Sequence, residues 1–383
     1  MNIQELFATV DRLQAEYLDI LEHICNIESP THHKAGIDAV GCFIADLARR
    51  KGWQVERCQQ EVAGDVLCIT MNTDSTEAPL CVSGHMDTVF PLGMFGTPAV
   101  RRDEENMYGP GVTDCKGGIV VGLLAMDALH QCGYRNRPIR LLLQSDEETG
   151  SLNSKKATIR YICERAKDAI AFLNLEGIAR PNTAVMWRKG ILRCRVTVKG
   201  IAVHSSQCER GANAIAEAAH KILLLEEMKD PDGVTCNCGV INGGTVANTV
   251  PDTCTFVADI RYATDEQLAA TRQRLHEVAE LSHIPGCTCT VEEVSSRPSM
   301  PRCDRNTALL DRINEFFVQN GITPLTARGA GGGSDAAYIT QCGIPCVDNM
   351  GTEGGKIHSE GEYMRLNSLG EAAKKVAIVA VQI

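Results

Sequence analysis

Five short segments, at strand ends or in glycine-rich turns, carry side chains able to bind cations or move protons: "SGHMDTV" with His85 and Asp87, "GVTDCKGG" with Asp114, "QSDEETGS" with Asp146, Glu147 and Glu148, "FLNLEG" with Glu176, and "GGKIHSEGEYM" with His358. In an extended segment residues two apart share a face, so Asp87 can accompany His85 into one site. A ligating imidazole donates its second N–H to an acceptor that fixes the tautomer, a duty that suits Asp87. Each segment alone has a plainer reading. His85 could be a satisfied surface histidine, Asp114 a helix cap, and the acidic triplet a solvated loop. Together they point elsewhere. Carboxyl ends of strands are where open α/β sheets place their sites, and two neighbouring divalent cations need a bridging carboxylate plus further ligands on each. Zinc accepts this mixture of nitrogen and oxygen donors. The run "GTEGGKIHS" is not a phosphate loop, because its spacing is one residue short and Ile357 stands where Ser or Thr is required.

The elements that must position these residues read as follows. Leu6, Val10, Leu13, Tyr17, Leu21 and Ile24 fall at helical spacing, and a second helix covers about 36–51. Short apolar runs at 65–71, 79–84, 139–144 and 170–175 predict buried strands, and "KGGIVVGLLAMDALHQ" predicts a buried helix among them. Strands alternating with helices imply an α/β sheet covered on both faces. Near residue 188 the texture changes: "RKGILRCRVTVKG" alternates as a half-exposed strand does. A helix (about 209–227), strands (about 235–242 and 253–262), a helix (about 265–282) and a strand (about 287–294) follow, an α+β pattern with one open sheet face. "SSRPSMPRC" reads as a linker, after which helices and short strands return. The expected organisation is one α/β domain in two parts, 1–187 and 302–383, interrupted by an inserted α+β sandwich at 188–301.

Composition bounds the function. A chain of 383 residues suggests two domains, and 44% hydrophobic with 22% charged residues describes an ordinary globular protein. A net charge of −10 argues against nucleic acid as partner. "MNIQELFATVDRL" lacks the basic start and apolar core of a secretory signal. "GIVVGLLAM" is too short to span a membrane, so no membrane association is expected. The 18 cysteines include no C-x-x-C pair, and many sit in apolar runs as small hydrophobes, which favours a reducing cytoplasm over disulfides or a cysteine zinc site.

The ordered set of five motifs resembles the co-catalytic zinc peptidases and deacylases that include glutamate carboxypeptidase, aminoacylase, acetylornithine deacetylase and succinyl-diaminopimelate desuccinylase. The resemblance runs along nearly the whole chain, and "GTVANTVPDTCTFVADIRYA" with the following "SSRP" places it nearest the glutamate carboxypeptidase branch. It implies two divalent metal ions per chain, zinc first with cobalt or manganese as alternatives. His85 and His358 would each hold one ion, Asp114 would bridge them, and Glu148 and Glu176 would each complete one metal's ligands. Glu147 would be the general base, with Asp87 beside His85, and the peptide after Asp114 would be cis. The insert would act as lid and dimerisation domain of a homodimer. There His204 and Asn248 would bind substrate or steady the oxyanion, and Arg261 would grip a substrate carboxylate, a role its planar fork suits. Gly332, Gly333 and Ser334 of the "RGAGGGSDAAY" loop would let substrate approach the backbone. Asp146 has no such assignment, and turn capping is its expected task.

The reading is therefore a two-zinc hydrolase of a small peptide or N-acyl amino acid, cleaving an amide next to a free carboxylate. An N-acyl-amino-acid deacylase or dipeptidase on the same machinery is the enzymatic alternative. A metal-bound binding module on an inactive scaffold is the alternative of another class, yet every matched position is filled. Adjacent Glu147 and Glu148 separate these readings. Glu147→Gln should keep fold and metal content while turnover falls about 100-fold or more, the scale of general acid–base catalysis. Glu148→Gln should lose metal along with activity. Metal analysis beside turnover checks the pair; reversed metal contents would reverse the two roles, and two active, metal-loaded variants would restore the solvated loop.

Overall fold

Six strands build the sheet that carries the acidic segments, in the order Gln54–Cys58, Val66–Met71, Ile139–Gln144, Leu80–His85, Ala171–Asn174, Cys346–Val347. The computed structural model describes residues 1–231 and 233–383. Leu80–His85 runs parallel to both neighbours, with His85 opposite Gln144 and Ser83 opposite Asn174. That register aligns the carboxyl ends of three strands, and each leads directly into one of the acidic segments. These three strands, with Val66–Met71, are buried almost throughout, which explains their near-continuous apolar sequence.

The chain forms two compact units: Met1–Trp187 with Arg302–Gly329 and Ser334–Ile383, and Arg188–Pro301 with Ala330–Gly333. In the larger, helix Lys116–Gln131 is buried from Lys116 to Leu129 and packs between the sheet and helices Ile3–Cys25 and Leu366–Gln382. Two glycines let its first turn approach the site. A Cβ on Gly117 would fall 2.1 Å from the Val112 carbonyl oxygen, and one on Gly118 would fall 1.9 Å from that of Leu175. Neither position admits a side chain without moving backbone. A small sheet of Gly354–Gly355, Tyr363–Arg365, Asn106–Tyr108 and Arg101–Arg102 brings the His358 loop to the segment that precedes Asp114.

The smaller unit is an antiparallel sheet ordered Thr235–Gly243, Thr253–Tyr262, Gly190–Lys199, Thr288–Arg297, with its own apolar core beneath helices Ala214–Glu226 and Asp265–Glu280. Strict alternation of buried residues along Thr253–Tyr262 is the signature of a sheet covered on one face. A buried pair staples its helices. Lys221 Nζ lies 3.1 Å from Glu217 and donates to the carbonyls of Val278 and Leu281, while Glu217 accepts the amides of His283 and Ile284.

Two sequence expectations need correction. Ser295–Arg297 belong to the last strand rather than a linker, because after a bulge between Glu293 and Ser295 they keep pairing with Arg193–Ile191. The helix expected from about 209 starts at Ala214, where the Asn213 side chain caps the amides of Ile215 and Ala216. Among the described residues no helix is long and apolar enough to cross a membrane.

Candidate metal centre

His85 ends the central strand, is buried, and points one ring nitrogen each way. Nδ1 lies 3.0 Å from the backbone oxygen of Asp87, an acceptor, so Nδ1 donates there and Nε2 is turned toward the carboxylates. Nε2 faces Asp114 Oδ1 at 3.0 Å and Glu176 Oε1 at 3.8 Å. Asp114 Oδ2 faces His358 Nε2 at 3.1 Å, and His358 Nε2 also lies 3.4 Å from Glu148 Oε2. Asp114 thus stands between two imidazoles, one oxygen toward each, flanked by Glu176 on one side and Glu148 on the other. The Asp114–Cys115 peptide is cis.

The electrostatics follow from the crowding of these groups. Burial pushes Glu148 up to about 8 despite its hydrogen bond to His358, with Asp114's charge adding to the rise. Burial and the charge of Asp114 likewise raise Glu176. Burial would raise Asp114 too, but bonds from His358 and His85 hold it well below the usual carboxylate range. Hydrogen bonds to Asp114 and Glu148 push His358 up to about 10. The donor set of two imidazoles and three carboxylates fits divalent metal.

Asp87 is fully buried. Its carboxylate accepts the amides of Glu147 at 3.2 Å and Glu148 at 3.1 Å and the Thr31 hydroxyl at 2.9 Å, so it orients both His85 and the acidic turn. These contacts are those of a positioning residue. Asp146 holds the same turn from inside, accepting the Ser154 amide and the Thr149 hydroxyl. Cys115 Sγ is near His85 and Glu176 but donates to the Leu175 carbonyl at 3.3 Å.

Ser334 departs from its expected place. Its hydroxyl is fully buried, donates to Asp348 at 2.9 Å, and accepts from Asn174 at 2.9 Å and the Ala336 amide at 3.1 Å. Asn174 in turn donates to Asp348 and accepts from Ser83. The motif reading missed this network, although Asn174 sits in the quoted "FLNLEG" and polar residues inside apolar runs were its signal. Ser334 belongs to the frame rather than to a substrate surface.

In the smaller unit His204 is exposed, and its Nδ1 accepts the Ser206 amide at 3.2 Å, leaving the proton on Nε2. Asn248 is exposed, and its carbonyl accepts the Ser205 amide. Arg261 lies on Asp259, with Nε at 2.6 Å, and Asp259 also takes Arg193 at 2.8 Å. Arg261 Nη1 reaches the Gly331 carbonyl at 3.3 Å, and Arg188 donates to that of Gly332 at 2.9 Å. A Cβ on Gly333 would fall 2.4 Å from Arg297 Cδ, so the close approach there is by Arg297.

Fold and site together define a metal-dependent hydrolase of amide bonds. Residues 81–382 match the model of peptidase family M20/M25/M40, and the chain belongs to that family. It is 30% identical over 371 residues to carboxypeptidase G2 of Pseudomonas sp. (strain RS-16), covering 95% of this chain and 88% of that protein. It is 27% identical over 367 residues to a succinyl-diaminopimelate desuccinylase of Nitrosospira multiformis, covering 90% and 92%. A solved tripeptidase structure from Staphylococcus aureus superposes with a TM-score of 0.79 at 23% identity, covering 96% and 98%.

Ser334→Ala should cost about 1–3 kcal/mol of stability, because Asp348 and Asn174 lose a buried partner. Discrimination between free-acid and amidated substrates should stay as it is. Denaturant unfolding beside substrate kinetics checks both, and a changed discrimination with intact stability would return Ser334 to the substrate surface.

Proposed function

We propose that this chain hydrolyses an amide bond adjacent to a free carboxylate, on a small peptide or N-acyl amino acid, as a glutamate carboxypeptidase-like enzyme with two divalent ions. The observation that carries the reading is Asp114 between two imidazoles, with Glu147 beside the flanking ligand Glu148. His85, Asp114 and Glu176 would hold one ion, and His358, Asp114 and Glu148 the other, zinc being favoured over cobalt or manganese. Bound metal supplies a polarised carbonyl and a water whose pKa falls toward ~7. Glu147 takes the proton from the attacking water as its oxygen bonds to the carbonyl carbon. The C–N bond then breaks, and Glu147 delivers that proton to the departing nitrogen.

The smaller unit supplies recognition groups in this reading. The protonated Nε2 of His204 donates to the developing oxyanion, with the Asn248 amide as a second donor. Arg261, held in orientation by Asp259, grips the substrate carboxylate, while Gly332 leaves backbone accessible. Strand Thr235–Gly243 lies at the sheet edge, bridged at its start by Lys229, and Val240, Ile241, Leu223 and Val246 are all more than half or about half exposed. Such an edge supports a homodimer through this unit. Eighteen cysteines, many of them buried as small hydrophobes, fit a reducing cytoplasm. N-acyl-amino-acid deacylation is the second reading, favoured by the desuccinylase relative.

The test is a panel of N-acyl-glutamates, other N-acyl amino acids and dipeptides, each as free acid and as amide. Chelation should abolish hydrolysis, and zinc or cobalt should restore it; full activity after exhaustive chelation would overturn the metal role. Arg261→Ala should cost about 1.5–3 kcal/mol of preference for free acids, the worth of a hydrogen bond to a charged group. Unchanged preference would remove Arg261 as anchor. Sedimentation at micromolar protein should show a dimer that Ile241→Lys weakens, and a fully active monomer would count against the interface.

A further inference from the structure

Glu362 lies four residues beyond His358, is fully buried, and has no part in the reaction described above. Its Oε1 accepts two consecutive amides, Thr113 at 2.9 Å and Asp114 at 3.0 Å. Its backbone carbonyl accepts the Gly109 amide at 3.2 Å, and the next carbonyl, of Tyr363, accepts the Thr113 hydroxyl at 2.8 Å. Tyr363 and Met364 then pair with Tyr108 and Met107 as neighbouring strands. One short stretch therefore grips the 107–114 segment by main chain and side chain together. The same stretch carries His358, whose backbone sits in the left-handed region at φ 62°. A non-glycine residue persists there only when its surroundings hold it.

We propose that Glu362 is a positioning residue that sets the spacing between Asp114 and His358, and so the affinity of the ion those two share. The inference rests on the metal reading of the site. Its logic is geometric. Asp114 hangs from its own amide, and that amide is fixed to the Glu362 carboxylate. His358 hangs from the same loop, so both ligands refer to one anchor. Without the anchor the bridging carboxylate and the exposed imidazole would have to be brought together by the ion itself. The His85 and Glu176 ligands are held independently, by the central sheet and Asp87.

The experiment is calorimetric titration of the metal-stripped full chain with Zn²⁺. Unmodified protein, Glu362→Leu, Glu362→Gln and His358→Ala are compared. Leucine fills similar volume without an acceptor, whereas glutamine keeps an oxygen at the Oε1 position. Glu362→Leu should weaken, by about 10–100-fold, the binding step that His358→Ala abolishes, the range for outer partners of metal ligands, and should leave the other step in place. Glu362→Gln should bind as the unmodified chain does. Hydrogen exchange in the metal-free protein gives a second readout: the Thr113 and Asp114 amides should exchange faster in Glu362→Leu but not in Glu362→Gln. Two unchanged steps in Glu362→Leu, both steps lost together, or a glutamine variant as impaired as leucine would overturn the proposal while the metal reading stands. Unmodified protein that binds no zinc would overturn the metal reading itself, and this inference with it.

Discussion

Carboxylates cannot be gathered in a buried space without something to offset their charge, and the larger unit is organised around that constraint. The effective cost of burying an ion is several kcal/mol even after relaxation. Three acids meet it with backbone amides: Asp87 through Glu147 and Glu148, Asp146 through Ser154, and Glu362 through Thr113 and Asp114. Asp114, Glu148 and Glu176 differ, because they face imidazoles across gaps of 3.0 to 3.8 Å. The first group builds the frame, and the second has donor chemistry that suits cations. Both are needed, since an amide-bound carboxylate is a poor ligand and an unsupported one would protonate.

The frame is stiff because the main chain itself makes the close contacts. Gly117 and Gly118 bring the first turn of the core helix against the carbonyls of Val112 and Leu175, directly flanking Asp114 and Glu176. Ser83, Asn174, Asp348 and Ser334 form a fully bonded polar cluster beneath the strand ends. A satisfied network of this kind specifies one arrangement, whereas a partly satisfied one would be costly. The smaller unit solves a similar problem with a charge pair, Glu217 and Lys221, whose remaining polar atoms cap the end of the neighbouring helix.

Much of this was legible from local pattern. The buried strands, the core helix and the one-face-covered sheet follow from periodicity, which depends only on neighbours along the chain. The position of each acid at a strand end or turn was equally visible. The linker reading of Ser295–Arg297 failed because small polar residues resemble a loop, while pairing with Arg193–Ile191 is a long-range fact. Ser334 was misplaced for the same reason: a serine in a glycine-rich run looks accessible, and only packing against Asn174 and Asp348 buries it.

The sequence by itself determined which side chains could bind a cation, in what order they come, and which type of element presents each. Those properties are local, set by side-chain chemistry and by the two- and 3.6-residue periods. The tertiary structure alone decided how the acids divide between frame and ligand. Asp87 and Asp114 are the same residue type at the same kind of strand end or turn. One finds amides 60 and 61 residues away and is closed off, while the other finds two imidazoles, His85 and His358, and stays open. Glu362, hidden in the His358 motif, reaches amides 249 and 248 residues back. Whether a carboxylate is structural or functional depends on which partners arrive, and arrival is a property of the folded chain.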